Sequence, residues 1–81
     1  MTPGELRRWI GNELFAEPHM GLSAYMCGCD AGGSGLIIAL DSYESEDDAG
    51  QPFTQDMALV LVKWKLGWAP TNWLEPLDAK R

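Results

Sequence analysis

Apolar residues near the N-terminus recur with the period of a helix. The residues of this stripe are Leu6, Trp9, Ile10 and Leu14. Polar residues occupy the other faces, as expected of an amphipathic helix. Thr2 is a suitable cap, Pro3 suits the first helical position and Glu5 completes a capping box. Pro18 ends the pattern, so the sequence predicts a helix over residues 3–16.

Two apolar segments, residues 22–29 and 36–43, then favour strands. Between them lies Asp-Ala-Gly-Gly-Ser-Gly, which is typical of a turn. The pattern predicts a β-hairpin over residues 22–43.

Residues 57–66 contain the run Ala-Leu-Val-Leu-Val, which is apolar on both faces. Such a strand suits the centre of a sheet, covered by the helix on one side and by another layer, such as a second subunit, on the other. Gly67 permits a tight turn, and residues 68–74 form a short last strand. Pro70 places that strand at a sheet edge.

These elements predict a compact α+β domain, with the N-terminal helix packed on an antiparallel sheet of three to four strands. The chain has 81 residues, of which 46% are apolar. This length suits a single domain spanning residues 1–81, and a homodimer is a natural assembly for so small a core.

The distribution of charge bears more directly on function than the overall composition does. Nine carboxylates and no lysine or arginine lie between Arg8 and Lys63, and the net charge is −6. This charge opposes direct binding to nucleic acid or to an anionic membrane. It favours a protein partner with a basic surface.

Residues 44–56 are predicted to form an acidic loop that Phe53 anchors in the core. If the segment is extended, Glu44, Glu46 and Asp48 share one face at intervals of about 6.7 Å, similar to the phosphates of a nucleic-acid strand. Such a row can dock in a basic groove. The alternatives are a solvated loop and a weak cation site. The candidate acidic residues are Asp41, Glu44, Glu46, Asp47, Asp48 and Asp56.

Three tryptophans, Trp64, Trp68 and Trp73, fall within ten residues near Gly67. Their large apolar area serves either the core or a partner interface, where tryptophan is a frequent hot spot. We therefore add them to the candidate partner-binding residues.

Cys27 and Cys29 raise the question of a metal or redox site with His19 and Asp30. No second cysteine pair accompanies them, so the sequence favours packing and reduced thiols. The glycine-rich residues 28–35 lack the lysine of a phosphate-binding loop. The sequence thus predicts no catalytic residue, no metal and no cofactor, and a protein that is not an enzyme.

No run approaches the roughly 20 apolar residues of a membrane span, and the N-terminus does not follow the pattern of a signal peptide. We expect a soluble, cytoplasmic protein.

Residues 39–77 resemble parts of an SH3 domain. Ala-Leu-Asp-Ser-Tyr at 39–43, with the acidic segment and Phe53, is similar to the opening motif and RT loop. Gly-Trp-Ala-Pro-Thr-Asn-Trp-Leu at 67–74 is similar to the closing segment. The resemblance implies a groove for proline-rich peptides. Its residues would be Tyr43, Trp68, Pro70, Asn72 and Trp73.

The leading hypothesis is a protein that inhibits or regulates another protein by placing its acidic surface on a basic, nucleic-acid-binding site. In size and charge the chain resembles small phage anti-defence proteins that imitate nucleic acid. The alternative is the peptide-binding module, and a cysteine-based metal or redox site comes third.

Overall fold

The computed structural model describes residues 1–19 and 24–77, which form one antiparallel sheet. A 3₁₀ helix, Thr71–Trp73, precedes the last strand. The strands are β1 Leu6–Trp9, β2 Glu13–Phe15, β3 Tyr25–Gly28, β4 Ser34–Glu46, β5 Pro52–Val62, β6 Lys65–Pro70 and β7 Leu74–Pro76. Their order across the sheet is β3-β2-β6-β5-β4-β1-β7. The strands β4 and β5 are by far the longest.

The sheet must curl strongly, because of how β1 connects to β2. A flat sheet would hold these strands four places apart, at about 19 Å. Only Ile10, Gly11 and Asn12 join them, and this link spans at most about 15 Å between the strand ends. Curling brings the two flanks together, and the indole N–H of Trp9 on β1 reaches the carbonyl of Cys29, which follows β3 on the other flank, at 2.8 Å.

The core fills the concave side of this curled sheet. Alternate residues of β5, namely Ala58, Val60 and Val62, are fully buried, as the two-residue period of a strand requires. The other main core residues are Trp9, Leu14, Cys29, Ile37, Ala69 and Leu74. The indole N–H of Trp9 donates to the carbonyl of Cys29 at 2.8 Å, so its burial leaves no polar atom unpaired. The apolar run does lie in a central strand, as predicted, but the predicted bounds of 57–66 are wrong because β5 spans Pro52–Val62 and residues 65 and 66 belong to β6.

The predicted N-terminal helix, and with it the α+β class, is wrong: residues 6–9 and 13–15 are strands. The capping-box pair does interact, because the N–H of Thr2 donates to the Glu5 carboxylate at 3.0 Å and the N–H of Glu5 donates to the Thr2 carbonyl at 3.2 Å. These bonds close a turn, in which Gly4 has a φ of 90°. Left-handed backbone there is incompatible with a continuing helix.

The helical spacing of the apolar stripe has another cause. Trp9 and Leu14 reach the same core from two strands, with the chain turning between them. Gly11 lies at this turn, where a Cβ atom would come within 2.5 Å of the Trp73 ring. Trp9 and Leu14 therefore meet because two short strands cross the core, whereas Leu6 and Ile10, the other residues of the stripe, are exposed.

The hairpin predicted over residues 22–43 does not form. Tyr25–Gly28 pairs with β2, while β4 pairs with β1 and β5. Residues 22 and 23 lie outside the described part of the chain. Turn chemistry at residues 30–35 is real, since Gly32 and Gly33 have positive φ, but this turn joins strands on opposite flanks of the sheet.

The predicted turn at Gly67 is also misplaced. β5 and β6 are joined by Lys63 and Trp64, both with positive φ, which gives the two-residue turn of a tight hairpin. Gly67 lies inside β6, where a Cβ atom would come within 2.8 Å of Leu14. Pro70 ends β6, which lies between β5 and β2 and is not a sheet edge.

Candidate protein-binding arm

The β4–β5 hairpin extends beyond the rest of the sheet. β1 pairs with β4 only at residues 34–36, and β6 pairs with β5 only at residues 57–62. From Ser42–Asp56 to the tip, the two strands pair only with each other. We call residues 42–56 the arm. The acidic loop predicted over residues 44–56 is therefore wrong, because most of the segment is β-strand. Phe53, its predicted anchor in the core, is 43% exposed.

The arm carries most of the candidate acidic residues. Its carboxylates are Glu44, Glu46, Asp47, Asp48 and Asp56, and Asp41 lies at its base. All six residues are exposed. Within residues 1–19 and 24–77, the ion pairs are Arg7 with Glu5 at 2.8 Å and Arg8 with Glu75 at 3.6 Å. Neither pair involves the arm, so no described cation neutralises it.

The alternation of side chains along the hairpin decides which of these carboxylates share a face. Glu44 and Glu46 lie on one face of β4, and Asp56, which pairs with Ser42, lies on the same face of β5. Asp48 is in the turn. Glu44 and Glu46 are extended in β4, which meets the condition for the proposed row, but Asp48 does not continue it. Asp56, from the other strand, joins that face instead.

Asp47 has a structural role at the tip of the arm. Its Oδ1 accepts hydrogen bonds from the N–H groups of Ala49 and Gln51, each at 2.9 Å. The N–H of Gly50 donates to the Asp47 carbonyl at 2.9 Å, and Gly50 has a φ of 80°. This is the local bonding expected of aspartate in a turn. Asp47 thus shapes the tip, while Asp48 makes no described side-chain hydrogen bond.

Lysines lie at the opposite end of β5 from the tip of the arm. The Nζ of Lys63 donates to the carbonyl of Asp30 at 2.6 Å, and the Nζ of Lys65 donates to the carbonyl of Gly28 at 2.8 Å. These cations therefore hold the loop after β3 to the β5–β6 hairpin. The long axis of the molecule measures 36 Å, so the negative arm and the lysine turn are well separated.

The three candidate tryptophans do not form one surface. Trp64 is 95% exposed at the lysine turn, with a φ of 68° that is strained for a bulky residue. Trp68 is half-buried in β6. Trp73 packs edge-on against Trp9, with ring centres 6.0 Å apart, and belongs with the core. Trp64 is thus the one exposed tryptophan among the three, and it lies far from the acidic tip.

The residues implied by the SH3 resemblance are spread over three elements. Tyr43, on the arm, packs edge-on against His19 with ring centres 5.5 Å apart. Pro70 is buried and Asn72 is exposed in the 3₁₀ helix. Near that helix lies a pocket of about 370 Å³, lined by Leu40, Asp41, Asp56, Met57, Thr71 and Met1.

The cysteines are packing residues in this structure. Both thiols are free, Cys29 is buried in the core and Cys27 packs against it. In the part of the chain that the structure describes, no group of three His, Cys, Asp or Glu side chains is placed to hold a metal ion.

Sequence reasoning missed two surfaces. One is the outward edge of β4 along the arm. The other is a row of leucines that the strand register aligns across the convex face of the sheet. Its members are Leu6, Leu36, Leu61 and Leu66. Leu6 and Leu66 are about half exposed. Because these residues come from four strands, only the register could reveal the row.

Comparison with known proteins adds no relative: the chain matches no protein-family model, no curated protein and no solved structure. Among the described residues there is no helix of the length and apolarity needed to cross a membrane.

Proposed function

We propose that this chain is a non-enzymatic binding protein, whose arm docks on the basic, nucleic-acid-binding surface of another protein and so inhibits or regulates it. The observation that carries the proposal is the arm itself: a projecting hairpin with exposed carboxylates and no described cation beside it. We further propose that the protein acts in the cytoplasm.

The shape of the arm supports docking in a groove. Two strands side by side are narrow, and Glu44, Glu46 and Asp56 project from one face. Glu44 and Glu46 are separated by about 6.7 Å, a phosphate-like interval. A lysine- and arginine-lined groove would attract such a face over a distance of about 8 to 10 Å before contact, and salt would screen that attraction.

The separation of charge supports an oriented approach. The arm is negative, while Lys63 and Lys65 lie at the far end of the molecule. A basic partner is attracted to one end and repelled by the other. This favours a single docking geometry with the arm leading.

Charge reversal on the arm tests the proposal. The double variant Glu44→Lys/Glu46→Lys should lose affinity for a partner captured from the native host, by at least about 100-fold at low salt. The wild-type affinity should fall steeply as salt rises. Both are measured by titration calorimetry with the purified partner.

The matched control is Asp30→Lys/Glu75→Lys, which reverses two exposed carboxylates on the body of the molecule, in the loop after β3 and on β7. Each double variant changes the net charge from −6 to −2, so a difference between them isolates position from total charge. Equal losses in both variants, or an affinity that does not respond to salt, would overturn the proposal.

A peptide-binding module is the second candidate, favoured by a pocket that Thr71, the neighbour of Asn72 in the 3₁₀ helix, helps to line. In this case a proline-rich peptide should bind. Asn72→Ala should weaken the binding of that peptide, whereas Glu44→Lys/Glu46→Lys should leave it unchanged. Asn72 is the preferred test because Trp73 packs against Trp9, so that its truncation would disturb the core.

A further inference from the structure

The arm has a strand edge that no described residue pairs with. β5 uses Val62, Val60 and Ala58 to bond β6, because Val62 and Lys65 close a two-residue turn. The intervening residues of β5 therefore bond β4. The backbone N–H and C=O groups of their β4 partners, Asp41, Tyr43 and Ser45, therefore point towards β5. The N–H and C=O groups of Ser42, Glu44 and Glu46 then point away from β5.

Two side-chain contacts agree with this assignment. The N–H of Ser42 donates to the Asp41 carboxylate at 2.7 Å, and the carbonyl of Asp56 accepts from Nε2 of Gln55 at 2.9 Å. Groups engaged in the β4–β5 ladder would not be turned toward such neighbours. Ser42 and Asp56 form one cross-strand pair, so both edges of the arm are identified.

The two edges differ in their capacity to accept another strand. On the β5 edge, Pro52 has no N–H and the carbonyl of Asp56 is already occupied. Proline protects an edge in this way. On the β4 edge, Glu44 and Glu46 both have a backbone N–H that can donate to another strand, and their carboxylates lie beside this edge.

We propose that the β4 edge of the arm binds an extended segment of the partner protein by strand addition, and that this segment carries lysine or arginine at alternate positions. This inference rests on the proposed function and specifies its partner. Main-chain hydrogen bonds supply affinity in this mode, and alternate side chains supply specificity.

Charge complementarity selects the occupant. Residues directly opposite each other on paired strands have Cβ atoms about 5 Å apart, so a lysine opposite Glu44 and another opposite Glu46 make favourable pairs. A second copy of this chain would place carboxylates there and be repelled. The same glutamates therefore exclude self-pairing and admit a basic strand.

Backbone-methylated peptides test strand addition separately from charge. The probe is an end-blocked peptide of alternating lysine and threonine. In antiparallel addition, the lysine opposite Glu44 forms a hydrogen-bonded pair, so its backbone N–H points at the arm. Methylating the backbone nitrogens of the lysines should weaken binding at least about tenfold, whereas methylating those of the threonines should leave it nearly unchanged. Calorimetry at low salt measures all three affinities.

The outcomes separate this inference from the proposed function. Equal affinity of the two methylated peptides, with salt dependence retained, would overturn strand addition and leave docking by charge intact. Failure of the unmethylated peptide to bind would also overturn strand addition. The proposed function is then decided by the captured partner and the charge-reversal variants.

A second pair of variants tests the edge on the protein itself. Glu44→Pro and Glu44→Gln lose the same charge, but only proline also removes the outward N–H. Peptide affinity should fall by a further tenfold or so in the proline variant. Amide exchange of the wild type with the peptide should show protection at Glu44 and Glu46, and no protection there would contradict the inference even if the proline variant does not fold.

Discussion

The arm and the body of this protein are built from the same two strands, but they are stabilised differently. Along the body, β4 and β5 have neighbours on both sides and bury Ile37, Val60 and Val62 completely. Along the arm, the same strands have only each other, and nearly every residue is exposed. Burial therefore determines stability in the body, while the arm leaves its side chains and one edge available for binding.

The largest expected effect lies in the body. Trp9→Ala removes a fully buried indole and its hydrogen bond to the Cys29 carbonyl. The free energy of unfolding should fall by about 3 to 5 kcal/mol. Urea titration followed by circular dichroism measures this. By contrast, Glu44→Lys/Glu46→Lys on the arm should change the free energy of unfolding by less than about 0.5 kcal/mol per site. A large loss of stability in this variant would contradict the difference between arm and body.

Glycine substitution gives the next largest effect. Gly11→Ala places a Cβ atom 2.5 Å from the Trp73 ring, and should cost about 1 to 3 kcal/mol through overpacking. Gly28→Ala is the control, because its nearest neighbour would be 3.8 Å away. Thermal unfolding compares them. If both variants melt alike, the close approach of the β1–β2 turn to Trp73 is not as described.

A smaller and local effect is expected at the tip of the arm. Asp47→Ala removes the acceptor of two backbone N–H groups, and should lower local stability by about 1 kcal/mol. Amide exchange should accelerate at Ala49 and Gln51 and stay unchanged in the body. Asp48→Ala, which removes a carboxylate from the same turn, should leave both rates as they are.

The smallest effect concerns pH. The Thr2 N–H, and then Arg7, lower the pKa of Glu5 against the opposing effect of desolvation. Because the pKa is lower in the folded state, the contribution of Glu5 is present above the unfolded pKa and is lost as the pH falls through the folded value. In Glu5→Gln, the unfolding free energy should decline less steeply with acid than in wild type. Urea titration at a series of pH values measures this, and equal slopes in the two proteins would contradict the prediction.

Local chemistry made some features predictable. The apolar run in residues 57–66 indicated a central strand, and the alternating residues 36–43 indicated another. Turn chemistry at Gly32 and Gly33 was visible for the same reason, since few residues adopt positive φ. The concentration of carboxylates between Arg8 and Lys63 also required no structure. The charge of the arm was thus available from the sequence alone.

Pairing between distant strands was not predictable in this way. The stripe of Leu6, Trp9, Ile10 and Leu14 has helical spacing, but the sheet divides it between β1, β2 and their connection. Tertiary packing here overrides the local pattern. A tight turn at Lys63 and Trp64 escaped notice because neither residue favours positive φ. The projection of the arm depends on β1 and β6 ending before β4 and β5 do.

Charge and hydrophobicity belong to individual residues, so the sequence alone predicts that the middle of the chain is negative and that the apolar run at residues 58–62 lies in a central strand. The face shared by Glu44, Glu46 and Asp56, and the β4 edge that no described residue pairs with, could be found only in the tertiary structure. These features depend on register and on where neighbouring strands stop. Both are set by contacts between residues far apart in the chain.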